Sequence, residues 1–268
     1  DSGLLFARLA VYMDPDLHGI SILLGDILSS GGNYREAYDL YLQEPEDSPY
    51  LIQSRISALT MLYNAGEPQL AIDGLQDMTW QVEDTSTVWA TLANIYKQEG
   101  RHKDAVHAYT KFIESQEEGA QQARFAYFLR GASYERLGKW EQAETDLLKA
   151  LHYFPDSPDI LNYLGYSWVD RGDKVDEGEA MIRKALSIRP DDGHITDSLG
   201  WALYRRGEFQ EAVDILERAV ALLPYDSVIN DHLGDAYWQA GRHTEARFQW
   251  QRALDYQESA AEGINPDI

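Results

Sequence analysis

Apolar residues recur three and four positions apart along most of this chain, with polar residues between them. Leu92, Ile95 and Tyr96 form one such group, and Leu147 and Leu151 belong to another. This spacing places side chains on one face of an α-helix, whereas a half-buried strand would alternate at every second residue. The pattern therefore predicts an all-α protein.

Glycine interrupts this pattern at a nearly constant interval. Successive spacings are 34, 34, 38, 34, 35 and 34 residues, for Gly32, Gly66, Gly100, Gly138, Gly172, Gly207 and Gly241. A fixed period in this range indicates stacked structural repeats. Because glycine enters the left-handed backbone region easily, each of these residues is predicted to end the first helix of a hairpin.

Small side chains stand at fixed distances on both sides of these turn glycines. Five residues after the glycine, or six after Gly172, come Ala37, Ala71, Ala105, Ala143, Gly178, Ala212 and Ala246. Seven residues before it come Gly25, Ala93, Gly131, Gly165, Gly200 and Gly234, with Leu59 as the exception. Small residues let two antiparallel helices approach closely, so they predict the crossing point of each hairpin.

Prolines mark the predicted end of the second helix. They fall 17 residues after the turn glycine, or 18 after Gly172, at Pro49, Pro155, Pro190 and Pro224. Proline lacks the backbone N–H that a helix interior requires, so it stops the helix there.

Together these positions resemble the tetratricopeptide repeat family, whose 34-residue repeat carries W-x2-L-G-x2-Y, then A-x3-F, then A and P. The clearest segments are VWATLANIYKQEGRHKDAVHAYTKF and INDHLGDAYWQAGRHTEARFQWQRAL. The resemblance implies a right-handed superhelical solenoid of antiparallel helix pairs, with a concave surface for a partner. The departures are Leu59 and Gly178, together with Glu44, Met78 and Phe112 where a later alanine is expected.

The same alignment predicts the organisation of the chain. Seven repeats span residues 18–256 and start near residues 18, 52, 86, 124, 158, 193 and 227. Residues 1–17 align with the second helix of a truncated repeat, which suggests a longer repeat protein, and residues 257–268 are predicted to be a C-terminal tail.

Charge and composition limit the partners. The chain has 23 basic and 45 acidic residues, a net charge of -22, which repels a nucleic-acid backbone. Cysteine is absent, which excludes disulfides, cysteine-ligated metals and a cysteine nucleophile. No stretch approaches the roughly 18 apolar residues of a membrane span, so direct membrane insertion by this segment is not expected.

Catalytic motifs are not found. The sequence has no P-loop, G-x-G-x-x-G, H-E-x-x-H or G-x-S-x-G, so it predicts a protein that is not an enzyme and needs no cofactor. The seven histidines are scattered, which disfavours a metal site. Asp170, Asp173 and Asp176 lie in a lengthened turn where calcium is an alternative to a simply charged turn.

The predicted partner-binding surface comes from the first helix of each repeat. In repeats five to seven its exposed positions are Asp159, Asn162, Tyr166, Asp170, Asp197, Trp201, Tyr204, Arg205, Asp231, Asp235 and Trp238. Aromatic rings offer contact area at a low entropic cost, and the carboxylates favour a cationic ligand. The alternative is that Trp201 and Trp238 belong partly to the core.

Repeats three and four offer a different set, namely Asn94, Lys97, Phe125, Phe128 and Arg136. Some family members grip a peptide C-terminus with paired asparagine and basic residues from successive repeats. Here Asn94, Lys97 and Arg136 are the available candidates for such a clamp.

The sequence therefore predicts a protein-interaction scaffold or adaptor that binds a partner peptide or helix in its groove. It resembles long bacterial repeat proteins, one group of which presents substrates to a processing protease of the cell envelope. The alternative is a regulatory arm of a larger enzyme such as a glycosyltransferase. Location in the bacterial periplasm or at the outer membrane follows from the first hypothesis, and the cytoplasm remains the alternative.

Overall fold

The computed structural model describes residues 18–117 and 120–261, together with Leu9, Tyr12 and Met13. Within these residues there are fourteen long α-helices and no strand, so the predicted all-α class is confirmed. The chain divides into two compact units, Asp1–Asp146 and Leu147–Ile268. Apart from the three isolated residues, the helix predicted over residues 1–17 lies outside the described part.

The first compact unit, here the N-terminal unit, is a series of helices joined by short turns. They are α1 (Ile20–Ser30), α2 (Tyr34–Tyr41), α3 (Leu51–Asn64), α4 (Pro68–Gln81), α5 (Ser86–Gln98), α6 (His102–Glu114) and α7 (Gln121–Arg136). The next helix, α8 (Trp140–Tyr153), contains the division between the two units.

The second compact unit, here the C-terminal unit, holds three helical hairpins after the end of α8. Its helices are α9 (Pro158–Arg171), α10 (Val175–Ile188), α11 (Gly193–Arg205), α12 (Phe209–Leu222), α13 (Ser227–Gln239) and α14 (His243–Ala261). First helices of the hairpins begin within three residues of the predicted repeat starts. The last helix continues to Ala261, into the predicted tail, because QESAA contains good helix formers.

The turn glycines have the backbone that the repeat predicts. All seven have φ between 68° and 85°, in the left-handed region. At Gly207 the amide donates to the carbonyl of Tyr204 at 2.9 Å, and the amide of Glu208 donates to Leu203 at 3.0 Å. These two bonds satisfy carbonyls at the end of α11, so the helix stops there and the chain turns into α12.

Replacing Gly207 by alanine is expected to lower the free energy of unfolding by about 1 kcal/mol, because a side chain disfavours this backbone region. No heavy atom lies within 4 Å of the added Cβ, so the loss is conformational and not steric. Urea denaturation followed by circular dichroism measures it. Asparagine, which tolerates positive φ, is the control and should lose less; an alanine variant as stable as the wild type would contradict the assignment.

Helix crossings depend on a small residue in one helix that accepts a large side chain from the other. A Cβ added at Gly200 would lie 2.5 Å from Cγ of Leu216. The exception at Leu59 has a physical explanation, because a Cβ at Gly74 would lie 2.5 Å from Cδ2 of Leu59. In that hairpin the large residue is in the first helix and the glycine is in the second, so close packing is retained.

Glu44, which replaces an expected alanine, is buried, and its carboxylate accepts three hydrogen bonds. Its carboxylate accepts the amide of Gly19 at 2.8 Å, the hydroxyl of Ser48 at 2.5 Å and the hydroxyl of Ser21. Burial alone would raise the pKa of Glu44, but these hydrogen bonds outweigh burial and hold the pKa below its ordinary value. The carboxylate thus joins the start of α1 to the turn that follows α2.

Prolines in the C-terminal unit do more than end a helix. Their carbonyls accept hydrogen bonds from basic side chains of the following second helix, in the pairs Lys184 to Pro155, Arg218 to Pro190 and Arg252 to Pro224. The three basic residues are 34 residues apart, so each hairpin contacts the previous one in the same way.

Candidate partner-binding surface

The predicted surface of the C-terminal unit lies on α9, α11 and α13, which contact each other in turn. Side-chain oxygens of Asp192 and Asp226 accept amides at the starts of α11 and α13, at 2.9 to 3.1 Å, and so fix where these helices begin. We call the surface the first-helix stripe. It consists of Asp159, Asn162, Tyr166, Asp170, Asp197, Trp201, Tyr204, Arg205, Asp231, Asp235 and Trp238.

Stacked rings occupy the centre of the first-helix stripe. Trp201 stacks on Tyr204 with centroids 4.8 Å apart, and on His232 with centroids 4.3 Å apart. Trp201 also packs against the apolar core of the unit. Trp238 is 40% exposed and lies 5.5 Å from Trp250. Of the two tryptophans, Trp238 therefore offers more surface to a partner.

Two stripe carboxylates are engaged by arginines. Asp170 accepts the indole N–H of Trp201 at 3.2 Å and lies 3.3 Å from Nη1 of Arg205. Asp159 makes two hydrogen bonds with Arg189, at 2.9 and 2.6 Å. Both pairs are exposed to solvent, where such ion pairs are weak, so a cationic ligand can compete for these carboxylates.

Asp197 is not available to a ligand in this way. It is only 7% exposed, and its two oxygens lie 2.9 and 3.0 Å from Nδ1 of His232. Burial disfavours the charged imidazole, but the hydrogen bond and charge of Asp197, with the charges of Asp231 and Asp235, outweigh burial and raise the pKa of His232. This buried pair joins α11 to α13.

The anionic end of the stripe is on α13. Asp231 is exposed, and Asp235 accepts the indole N–H of Trp250 at 3.1 Å. Burial and the neighbouring charge of Asp231 raise the pKa of Asp235, although the bond from Trp250 and the charge of His232 oppose the shift. Two carboxylates one helical turn apart repel each other, which favours a cation at this end.

An unused acceptor lies at the other end of the stripe, on α9. Among the described residues no donor reaches Oδ1 of Asn162, although this atom is buried. A buried acceptor without a partner is unfavourable by roughly 1 to 3 kcal/mol.

Sequence models of the tetratricopeptide repeat match most of the chain after residue 85. The matched segments are residues 86–118, 128–195, 194–223 and 232–262. The chain belongs to the tetratricopeptide repeat family. Because this fold is typically a non-catalytic scaffold for other proteins, the chain is a protein-interaction scaffold.

Solved tetratricopeptide structures share the fold. MamA MSR-1 C2 is 21% identical with a TM-score of 0.50, over 65% of this chain and 98% of that one. A MamA crystal structure is 20% identical with a TM-score of 0.51, over 68% and 96%. The APC/C hetero-tetramer Cut9-Hcn1 is 16% identical with a TM-score of 0.69, over 94% and 49%. Comparison with curated protein sequences found no significant match.

The partner-binding residues predicted in the N-terminal unit lie on α5 and α7. Asn94 accepts the hydroxyl of Tyr109 at 2.8 Å, and Lys97 is exposed one turn further along α5. On α7 the rings of Phe125 and Phe128 are 5.5 Å apart. Arg136, at the end of α7, lies 3.8 Å from Glu135.

Of the three carboxylates predicted to share one turn, only Asp173 lies between α9 and α10, because Asp170 belongs to α9 and Asp176 to the first turn of α10. Each of the three is paired with an arginine. Asp170 pairs with Arg205, Asp173 with Arg171, and Asp176 with Arg206. In the part of the chain that the structure describes, no group of three or more histidine or carboxylate side chains is placed to hold a metal ion. No helix in that part is both long and apolar enough to cross a bilayer.

His232 is the residue of this surface that sequence reasoning missed. Its ring stacks on Trp201, and Nδ1 lies 2.9 Å from an oxygen of Asp197, whereas the scattered histidines of the sequence predict neither contact. The available signal was its position 35 residues after Asp197, since residues one repeat apart on successive first helices come into contact.

Proposed function

We propose that this scaffold binds an extended, positively charged segment of a partner protein along the first-helix stripe of the C-terminal unit. The observation that carries the proposal is the alternation of rings and carboxylates on α9, α11 and α13. Tyr204 and Trp238 supply flat contact area, while Asp170, Asp231 and Asp235 supply negative charge.

An extended segment suits this surface better than a compact ligand. The stripe runs across three helices, and an extended peptide presents side chains and backbone N–H groups along its length. Lysine or arginine side chains of the segment would displace Arg205 from Asp170 or pair with Asp231.

Peptides selected from a random library against the purified chain test the proposal. We expect enrichment of lysine and arginine beside apolar residues, and weaker binding at high salt because surface charges are screened. Trp238→Ala should weaken the best peptide by roughly 30-fold, the loss of a typical aromatic anchor.

Trp80→Ala is the matched control. Trp80 is 89% exposed and lies on α4, outside the stripe, so its loss should leave binding unchanged. Equal losses in the two variants, or enrichment of acidic peptides, would contradict the proposal.

The other predicted roles rest on the family resemblance. They are the clamp of Asn94, Lys97 and Arg136, presentation of substrates to an envelope protease, and the alternative role as a regulatory arm of an enzyme. Peptide binding in the proposed form uses no cofactor and no catalytic residue.

A further inference from the structure

A second surface lies at the end of the C-terminal unit, apart from the centre of the first-helix stripe. It is a groove of about 380 Å³ between α13 and α14. Val228 and Asp231 line one side, and Trp250, Ala253 and Leu254 line the other. We call it the terminal groove.

The repeat register identifies which residues of the preceding hairpin are equivalent to those of the terminal groove. Because Gly207 and Gly241 are 34 residues apart, Asp231 corresponds to Asp197, and Leu254 corresponds to Val220. In the preceding hairpin both positions contact α13 or the core: Asp197 is buried against His232, and the half-buried Val220 packs against the core. In the last hairpin Asp231 is exposed and Leu254 is 54% exposed.

The helix that covers the preceding hairpin is α13, and its chemistry shows what the groove is shaped to accept. His232 donates to Asp197, and Leu233 and Ala236 belong to the same core cluster as residues of α11 and α12. An occupant of the equivalent groove would therefore carry a basic residue followed at one and four positions by apolar residues. That is one face of an amphipathic helix.

We propose that the terminal groove docks an amphipathic helix of a partner protein, with apolar residues against Leu254 and Trp250 and a basic side chain paired with Asp231. The surface continues the hairpin-to-hairpin packing seen at α13, which argues for a helical occupant. The wall formed by Trp250 is fixed by its bond to Asp235. The net charge of -22 and the adjacent carboxylates of Asp231 and Asp235 argue for a basic occupant.

A peptide copy of α13 is the natural probe, because this helix fills the equivalent groove. It has the 13 residues of Ser227–Gln239 with arginine in place of His232, and a side-chain cross-link on its outer face keeps it helical. Fluorescence anisotropy with the full chain measures binding. The arginine peptide should bind roughly tenfold more tightly than the same peptide with glutamate there.

Charge exchange in the chain tests the pairing. Asp231→Arg should reverse the preference, so that the glutamate peptide binds better than the arginine peptide. Leu254→Asp should abolish binding of both. Leu70→Asp is the matched control, because Leu70 is 57% exposed on α4 and should leave binding unchanged.

Several results would overturn the proposal. Equal binding of the two peptides, or a preference that Asp231→Arg does not alter, would place the peptide elsewhere, including at Asp197. Dimers that Leu254→Asp dissociates in sedimentation experiments would identify a second copy as the occupant. Tighter peptide binding after Ile264→Asp would identify the chain's own last residues.

Discussion

Replacing His232 by leucine is expected to lower the free energy of unfolding of the C-terminal unit by about 3 kcal/mol, because it leaves a buried charge without its partner. Asp197, at 7% exposure, would keep neither the hydrogen bonds nor the positive charge of the imidazole. The change also removes the ring that stacks on Trp201. Urea denaturation followed by tryptophan fluorescence measures the loss.

The contribution of His232 to folding stability depends on pH, and the direction of this dependence follows from the raised pKa of His232. A group whose pKa is higher in the folded state stabilises the fold fully below its unfolded value, about 6.5 for histidine. That stabilisation is lost as pH rises through the folded value, which lies above 6.5. Between about pH 6 and pH 9, the wild type should therefore lose more stability than His232→Leu.

Asp197→Asn is the control for this pair. It removes the charge that holds the proton on His232, so its denaturation profile should also become less dependent on pH. At neutral pH its loss should be smaller than that of His232→Leu, because a neutral imidazole remains opposite a neutral amide. Identical pH profiles for the wild type and both variants would contradict the assignment of the buried pair.

Gly165→Ala is expected to destabilise the hairpin of α9 and α10 by about 2 kcal/mol, through overpacking. The added Cβ would lie 2.7 Å from the carbonyl oxygen of Gly178, and a Cβ at Gly178 would lie 2.7 Å from the carbonyl oxygen of Gly165. Backbone cannot move aside as a side-chain end can, so the two helices must separate. Thermal denaturation measures the change.

Gly74→Ala is the matched control for this prediction. Gly74 is also inside a helix, but the three atoms nearest to its added Cβ all belong to the side chain of Leu59, which can change its rotamer. Alanine favours a helix interior over glycine by up to about 1 kcal/mol, so the net change should be near zero. A loss at Gly74 as large as that at Gly165 would contradict the distinction between backbone and side-chain contacts.

The hairpins could be predicted from sequence because they depend on local requirements that repeat. A glycine at each turn needs positive φ, and an alanine such as Ala105 or Ala212 is fully buried at the crossing. The family was identifiable for the same reason. The sequence shows that Leu59 and Glu44 depart from the repeat pattern, but it does not show what compensates for them. Gly74 lies opposite Leu59, and three hydrogen-bond donors surround Glu44.

The candidate binding surface was predictable only as a set of positions. The repeat register placed Trp201, Tyr204 and Asp197 on one face, since successive residues of that face are three and four apart. It did not show which carboxylates are already engaged. That depends on residues of the next hairpin, as with His232 and Asp197, and on side-chain conformations such as that of Arg205 over Asp170.

The exchanged sizes of Leu59 and Gly74 restrict how such a chain can be recombined. Joining α3 to a second helix from another hairpin, such as α12, would bring Leu59 against a helix that itself contributes a bulky Leu216. Joining α11 to α4 would instead put Gly200 at the position of Leu59, so the space over Gly74 that the Leu59 side chain fills would be left void. The hairpin of α3 and α4 should therefore be transplanted with both of its helices, and not divided at its turn.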